Sequence, residues 1–333
     1  VNQACIGFLV REELEALETI EKDFKRSCIE ALVNLALVTG NIGKPYSGLF
    51  PLFTGTNEQG AKDVGCSPHY LPGYNMLGNE TKRTFFEELW QAEIPTEAGL
   101  SLKEITQAIH DKRIKALQII GDSPNFTNGE LNDFKNALPK LELLIVHSSF
   151  SNSITEMADV VFPSATFAQK EGTYTNIERR VQTLNPAIGF KQEEDEDWRI
   201  LSQIAKRMGG TGFEYHDAES IFNEISNAVA IYGGITYKRL KSSDGLQWPC
   251  QAIDMIDTAR LYVGNFKTPK AVLSPMVMTE PPKHENDEFP LLLALGRVLH
   301  QPNRETGIHS VNGRYEISRN DIIEIHEEDA LNL

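Results

Sequence analysis

Residues 170–182 hold the densest group of side chains in this chain that could do chemistry. The segment Lys-Glu-Gly-Thr-Tyr-Thr-Asn-Ile-Glu-Arg-Arg-Val-Gln combines a glycine turn, three cations, two acids and three hydroxyls, and it follows an apolar run at residues 160–163. Core packing does not require such a mixture. Dense polar groups at the end of a strand usually contact a ligand or close a network. We therefore expect a ligand site near Lys170, whereas structural salt bridges are the simpler role for Arg179 and Arg180.

Apolar strands alternate with helices from about residue 102 onwards. The pattern predicts strands at residues 116–120, 143–146 and 160–162, and helices at residues 102–110, 130–138 and 154–157. This alternation indicates an α/β fold with a parallel sheet that is covered on both faces. In such sheets ligands bind beyond the carboxyl ends of the strands. Three turns are expected at that edge, at residues 121–124, 147–149 and 163–176.

The other segments contain fewer regular elements. Residues 12–39 predict two helices that meet near Ser27, where Ser27 and Glu30 fit a capping box, and Gly40 and Gly43 end the second helix. Residues 40–80 are rich in turn-forming residues, and their aromatics favour an ordered, ligand-lining loop. Further helices are predicted at residues 197–208 and 218–230. The acidic run at residues 193–197 is expected to be a solvated helix start. Residues 233–288 are predicted to be irregular.

Composition excludes several kinds of partner and site. A formal charge of −15 leaves no basic stripe for a phosphate backbone, so we expect no nucleic-acid partner. No apolar run approaches the roughly eighteen residues that cross a bilayer, so no membrane span is predicted. The four scattered cysteines favour buried thiols over a zinc site or an iron–sulfur cluster within this chain. The start at Val1 and the end at Leu333 suggest a chain truncated at both ends.

Five ordered motifs resemble those of molybdopterin-dependent oxidoreductases of the formate dehydrogenase alpha-subunit type. The matching stretches are residues 31–43, residues 59–65 with 72–74, residues 170–182, residues 245–250 and the sequence Leu-Gly-Arg-Val-Leu-His at residues 295–300. Any one of these stretches alone would be weak evidence. Five in the same order leave chance negligible.

The resemblance implies a fold and a cofactor. It predicts a Rossmann-like, parallel-sheet cofactor domain, partial and within residues 1–215, then an irregular and helical connection at 216–287, then the start of a double-psi β-barrel, truncated, at 288–333. The implied cofactor is a pair of molybdopterin guanine dinucleotides around one molybdenum or tungsten atom. The residues that match the family's cofactor-binding positions are Asp122, Ser123, His147, Ser148, Lys170, Gly172, Thr173, Asp197, Gly296, Arg297, Leu299 and His300.

The chemistry of these residue types agrees with that implication. A pyrophosphate binds backbone N–H groups, hydroxyls and one or two cations, which Gly172, Thr173, Lys170 and Arg297 offer. Guanine presents N–H donors that suit a carboxylate, and Asp197 or Asp122 could supply it. Simpler roles stay open, because Asp122 could be only a turn former and His147 could simply close a strand end. Trp248 is expected in the core.

One departure from the family concerns the substrate. Members that oxidise formate place an arginine between the positions of Pro51 and Gln59, where it pairs with the substrate carboxylate. Here that position is Phe53 or Thr54, depending on the alignment. A fixed cation is the natural partner of a small anionic acid, so its loss disfavours formate. The catalytic metal ligand and the cysteines of a 4Fe–4S cluster are expected in a preceding part of the protein.

The resemblance also implies partners and a setting. We expect a small-molecule substrate, two-electron chemistry at the metal, iron–sulfur electron-transfer subunits, a role in anaerobic respiration, and a location in the cytoplasm or in a membrane-associated complex. One alternative is a non-catalytic or divergent scaffold subunit of a respiratory complex, similar to the large iron–sulfur subunit of NADH:quinone reductases. The other is a paralogue that acts on a substrate other than formate. The missing arginine fits both alternatives, whereas the retained Lys170 and Asp197 favour a bound cofactor.

Overall fold

A computed structural model describes residues 19–51, 55–121, 129–190, 194–264, 266, 270–275 and 324–331. The chain divides into two compact units. The first contains the described residues within Val1–Ile105 and Ala165–His284, and the second contains those within Thr106–Ser164 and Glu285–Leu333. The sheets also divide in this way, with a parallel sheet in the second unit and antiparallel strands in the first.

The predicted parallel sheet is confirmed in the second unit. Strands β3 (Ala116–Ile120), β4 (Leu143–Ser148) and β5 (Val160–Pro163) pair in that order, with Ile119 opposite Val146 and Val146 opposite Val161. Helix α4 (Leu102–His110) precedes β3, and α5 (Gly129–Ala137) separates β3 from β4. Leu144 and Val146 are buried with Ile109 of α4 and Ala137 of α5, which gives this unit an apolar core.

Two expectations about this unit are corrected. The sequence predicted that both faces of the sheet are covered, but Val160 and Val161 of the edge strand β5 are 39% and 42% exposed within the described residues. Residues 153–157 form a turn rather than the predicted helix. The Asn152 side chain accepts hydrogen bonds from the N–H groups of Ile154 and Thr155, so local polar contacts replace helical ones.

Helix α1 (Thr19–Val38) runs without a break through Ser27, so the predicted pair of helices and the capping box at Ser27 are wrong. No glycine or proline interrupts residues 19–38, and the helix therefore continues. Its predicted end is confirmed. Gly40 has a φ of 64°, its N–H donates to Leu37, and the Asn41 N–H donates to Ala36, which is the Schellman pattern.

The first unit contains a small antiparallel sheet that the sequence did not predict. Strands β6 (Gly172–Thr175), β7 (Arg180–Leu184) and β8 (Leu246–Gln247) pair in that order. The segment 163–176 is therefore only partly a turn, because its residues 172–175 form β6. Helices α6 (Asp197–Arg207), α7 (Ala218–Ala228) and α8 (Tyr237–Lys241) follow in the chain.

The core of this unit lies largely in a segment predicted to be irregular. Val181 of β7 packs against residues that follow α6, namely Phe222, Val229, Tyr232, Ile235, Tyr237, Leu240, Leu246 and Cys250, and Trp248 packs partly buried against them, as expected. Asp217 begins α7 with a capping box, accepting from the Ser220 N–H while the Ser220 hydroxyl lies against the cap backbone. Helix α7 agrees with the helix predicted at residues 218–230, whereas residues 233–250, predicted to be irregular, contain α8, β8 and part of this core.

The loop of residues 40–80 is ordered where it is described. It contains α2 (Glu58–Asp63) and a short hairpin of β1 (Tyr70–Leu71) and β2 (Asn75–Met76), and it leads into α3 (Glu80–Trp90). The predicted β-barrel lies outside the described residues except for residues 324–331, in which α9 (Glu327–Leu331) forms one short helix. The barrel therefore stays a prediction, and so do the domain boundaries at residues 215 and 287.

Candidate functional site

Lys170 and Asp197, which both match cofactor-binding positions of the family, contact each other. Lys170 precedes β6, Asp197 is the first residue of α6, and the Lys170 Nζ lies 2.6 Å from the Asp197 Oδ2. Their side chains are 30% and 21% exposed, so both remain within reach of solvent or of a ligand. A cation and a carboxylate at the start of a helix can present opposite charges to different parts of one polar ligand.

Gly172 and Thr173 begin β6 directly after this pair. Gly172 has a φ of 151°, and a Cβ atom built on it would meet no atom of the described residues within 4 Å. Space is therefore open on that side of the backbone, next to Lys170. Open glycine backbone beside a cation is the arrangement that phosphate groups prefer. The residues present fit a phosphate-bearing cofactor at this corner of the first unit.

Glu196 supports this corner, although the sequence assigned the run of residues 193–197 to a solvated helix start. Its side chain is only 3% exposed. One oxygen accepts the Glu171 N–H at 3.0 Å, and the other accepts the Trp198 indole N–H at 2.9 Å and lies 3.3 Å from the Arg199 Nε. Glu196 therefore joins the turn at Glu171 to the start of α6. Its position as the residue before α6 was the signal that could have identified it.

His147 and Ser148 end β4 in the other unit, and both are buried. The Gln118 Nε2 lies 2.7 Å from the His147 Nε2, and the Ser148 hydroxyl donates to the Phe150 carbonyl at 2.8 Å. The His147 carbonyl accepts the Gly121 N–H, so adjacent strand ends are also joined through the backbone. These contacts are the ones expected of residues that close a strand end. Whether either residue also contacts a cofactor stays a prediction.

Arg179 and Arg180 have structural contacts, as the simpler interpretation held. The Arg179 guanidinium donates to the carbonyls of Trp248, Thr258 and Ala259 and lies over the Trp248 ring. Burial lowers the pKa of Arg179, and the nearby Asp63 carboxylate partly raises it. Arg180 pairs with Glu178 at 3.5 Å. Only the Arg180 contact is a salt bridge, because Arg179 binds backbone oxygens instead.

A buried carboxylate, Asp63, was not singled out from the sequence, although it belongs to the motif at residues 59–65. It is fully buried. Its Oδ1 accepts from the Gln59 Nε2 at 2.8 Å and the Tyr74 hydroxyl at 2.7 Å, and its Oδ2 accepts from the Tyr232 hydroxyl at 2.6 Å and the Trp248 indole N–H at 2.7 Å. We call these five residues the Asp63 cluster. Burial raises the pKa of Asp63, and the four hydrogen bonds partly oppose that rise.

The remaining predicted site residues lie outside the described residues. These are Phe53 and Thr54 at the family's arginine position, Asp122 and Ser123 after β3, and Gly296, Arg297, Leu299 and His300 in the predicted barrel. Within the described part of the chain, no three His, Cys, Asp or Glu side chains are grouped so that they could hold a metal ion. None of the helices described is both long enough and apolar enough to cross a bilayer.

Comparison with known proteins finds relatives named as formate dehydrogenase alpha subunits and as a nitrate reductase catalytic subunit. The F420-dependent formate dehydrogenase subunit alpha of Methanocaldococcus jannaschii is 36% identical over 308 residues, which are 92% of this chain and 45% of that relative. The F420-dependent formate dehydrogenase 1 subunit alpha of Methanococcus maripaludis is 33% identical over 305 residues, with coverages of 91% and 45%. The assimilatory nitrate reductase catalytic subunit of Bacillus subtilis is 35% identical over 286 residues, with coverages of 82% and 40%.

This chain spans less than half the length of each of these relatives. A family model described as molybdopterin oxidoreductase matches residues 18–207. That match covers more than half of the chain and includes Lys170, Gly172, Thr173 and Asp197. On this basis, the chain belongs to the molybdopterin oxidoreductase family.

Proposed function

We propose that this chain is part of the catalytic subunit of a two-electron oxidoreductase that holds a pair of molybdopterin guanine dinucleotides around molybdenum or tungsten. The observation that carries the proposal is the partly exposed pair of Lys170 and Asp197 beside the open backbone of Gly172. Family membership supports it, because the family model includes that corner. When bound, the cofactor supplies the metal at which two electrons are exchanged with the substrate.

The chain's own residues bind and orient the cofactor in this proposal. Lys170 neutralises phosphate charge, while Gly172 and Thr173 offer a backbone N–H and a hydroxyl. Asp197 accepts from a donor-rich base such as guanine, and its ion pair with Lys170 aligns both side chains before the ligand binds. Asp122, Ser123, His147, Ser148, Gly296, Arg297, Leu299 and His300 complete the proposed set by their match to the family positions.

The substrate is a separate proposal. Similar identities to relatives named formate dehydrogenase and nitrate reductase mean that identity does not select a substrate. The chain has Phe53 or Thr54 where formate-oxidising members have arginine, and Glu58 follows nearby. A small carboxylate would lack its fixed cation there. We therefore propose a substrate other than formate.

The proposed electron path leads away from this chain. Electrons leave the metal through a 4Fe–4S cluster in a preceding part of the polypeptide and then through iron–sulfur partner subunits. Relatives named as formate dehydrogenase alpha subunits carry a subunit designation, which supports a multisubunit assembly. A location in the cytoplasm or in a membrane-associated complex fits such an assembly.

The intact, full-length protein tests the proposal directly. It is purified without added metal, and molybdenum, tungsten and released guanine dinucleotide are measured per polypeptide. We expect one metal atom and about two dinucleotides per polypeptide, as the family's cofactor stoichiometry requires. Absence of both metals and of pterin would refute the cofactor proposal and favour a scaffold subunit. Formate-dependent dye reduction is assayed separately, and robust reduction would refute the proposal on the substrate alone.

A further inference from the structure

We propose that Asp63 is a positioning residue that fixes strand β6 against helix α2. It thereby holds Gly172, the first residue of β6, and the segment just before it that carries Lys170. This inference deepens the proposed function and rests on it for its consequence, the retention of cofactor. Its structural part does not depend on the cofactor. Asp63 has no exposed surface, so it acts through other residues and touches no ligand itself.

The hydrogen bonds of the Asp63 cluster fit a carboxylate that accepts from every partner. A tyrosine hydroxyl has one hydrogen to donate, and the hydroxyls of Tyr232 and Tyr74 each lie in position to donate to Asp63. The Gln59 amide has two hydrogens, which serve Asp63 at 2.8 Å and the Tyr74 oxygen at 2.7 Å. The Trp248 indole can only donate. An ionised Asp63 accepts from all four donors at once.

The negative charge of Asp63 has a nearby partner. The Arg179 guanidinium carbon lies 5.4 Å from the centre of the Trp248 ring, and the same indole donates to Asp63. Arg179 and Asp63 also interact electrostatically, which partly raises the pKa of Arg179. A buried carboxylate without donors or a nearby cation would be strongly disfavoured. Here four hydrogen bonds and one cation offset that penalty, which favours a fixed geometry.

Two contacts transmit this geometry to β6. The Tyr232 hydroxyl oxygen lies 3.0 Å from the Thr175 hydroxyl oxygen, and either group can be the donor. The Thr175 N–H donates to the Asn57 Oδ1 at 2.8 Å, and Asn57 directly precedes α2. Thr175 thus joins the Asp63 cluster and the start of α2 through separate atoms. It is the last residue of β6, the strand that begins at Gly172.

Close packing leaves little room for α2 to shift without moving β6. A Cβ atom on Gly60 would lie 2.3 Å from the Asn57 Oδ1 and 3.2 Å from the Thr175 Oγ1. Only glycine allows this approach. A displacement of about 1 Å at a ligand-positioning element can reduce function by orders of magnitude. If the Asp63 cluster is broken, we expect β6 and the turn before it to lose their fixed position.

Hydrogen exchange measures this link, and the two tyrosines supply a matched pair of variants. Tyr232→Phe removes one donor from the Asp63 Oδ2 and also the contact with Thr175. Tyr74→Phe removes one donor from the Asp63 Oδ1 and has no contact with Thr175 among its hydrogen bonds described here. In Asp63→Asn, either orientation of the amide places a donor against donors. Exchange is followed in the peptide that contains Thr175, with β3 and β4 peptides as internal references.

We expect Tyr232→Phe and Asp63→Asn to accelerate exchange at β6 roughly tenfold, the effect of losing one hydrogen bond to a charged group. Tyr74→Phe is expected to change β6 exchange less than about twofold, because its contacts are on the α2 side. Equal acceleration in both tyrosine variants would show a general loss of stability and would overturn the proposal. Unchanged exchange at β6 in Asp63→Asn would overturn it as well. If Asp63→Asn does not fold, the tyrosine pair alone decides.

Cofactor content of the same full-length variants tests the consequence. We expect Tyr232→Phe to retain several-fold less pterin per polypeptide than the wild-type protein, and Tyr74→Phe to retain the wild-type amount. If the wild-type protein holds no pterin, the proposed function fails while the exchange result still decides the role of Asp63. If Tyr232→Phe accelerates exchange at β6 and keeps its pterin, the link to cofactor retention is wrong.

Discussion

Replacement of Lys170 by methionine separates a structural role from a ligand-binding role. In the structure the Lys170 side chain is 30% exposed and pairs with Asp197, which is 21% exposed. Ion pairs with this degree of solvent access contribute about 0–1 kcal/mol to the free energy of unfolding. Methionine keeps most of the length and apolar stem of lysine and removes only the charge. We therefore expect Lys170→Met to lower the melting temperature by about 4 °C or less.

The effect on cofactor binding should be much larger. If Lys170 binds a phosphate, the lost contact is a hydrogen bond between charged groups, worth about 1.5–3 kcal/mol. That energy corresponds to a dissociation constant that is roughly ten- to hundredfold larger. Loss of Lys170 also removes the cation that lies 2.6 Å from Asp197, so the local charge becomes more negative where a phosphate would bind. Both effects weaken binding of an anionic ligand in the same direction.

Pterin per polypeptide and melting temperature, measured on the same full-length samples, give the result. Lys115→Met is the matched control, because Lys115 pairs with Glu142 at 2.8 Å on a well-exposed surface of the other unit. We expect the control to keep the wild-type pterin content and melting temperature. A Lys170→Met protein with full pterin content would refute the assignment of Lys170 to the ligand. A large drop in melting temperature in the absence of cofactor would show that the ion pair is mainly structural.

Two further changes test packing and pH dependence. Gly234→Ala should lower the free energy of unfolding by about 1–3 kcal/mol, because its Cβ would lie 2.1 Å from the Ala252 carbonyl oxygen. The control is Gly189→Ala, whose Cβ would meet no atom of the described residues within 4 Å. It should change the free energy of unfolding little in the same denaturant titration. The hydrogen bond from the Ser220 N–H holds the pKa of Asp217 below its ordinary value of 3.8. Its contribution is therefore complete above pH 3.8 and is lost as pH falls through the lowered pKa, so the difference in melting temperature between wild type and Asp217→Ala should shrink only in that acid range.

The elements predicted well from sequence are those whose residues carry a local, periodic signal. The helix at Leu102–His110 matches its predicted range because it buries one apolar stripe that includes Ala108 and Ile109. The strand at Ala116–Ile120 matches because its apolar run pairs with β4, a strand close in the chain. The helix end at Gly40 was also predictable, since a left-handed residue with two terminal hydrogen bonds strongly favours glycine. The capping-box pattern at Ser27 and Glu30 led to a wrong prediction, because the same two residue types also occur within one uninterrupted helix.

The antiparallel sheet was not predictable from local pattern. Strand β8 has two residues, Leu246 and Gln247, and both are buried. Its partner β7 lies more than sixty positions earlier in the chain, with Val181 opposite Leu246. Neither strand shows the clean alternation that marks a half-buried sheet, and pairing at such sequence separation depends on the packing of the whole unit. The same cause explains why α8 and β8 were not predicted within residues 233–250.

Exposure divides the family-like motif residues into two groups with different roles. Lys170 and Asp197 keep part of their side chains accessible, so they can bind a ligand. Asp63 and Glu196 are buried and accept hydrogen bonds from residues far apart in the chain, so they can only position other groups. Letters alone cannot separate these groups, because an acidic residue is written the same way whether it faces a ligand or a tyrosine. Since a misplaced turn would weaken binding as surely as a missing lysine, the buried acids are as necessary to the proposed site as the residues that touch the cofactor.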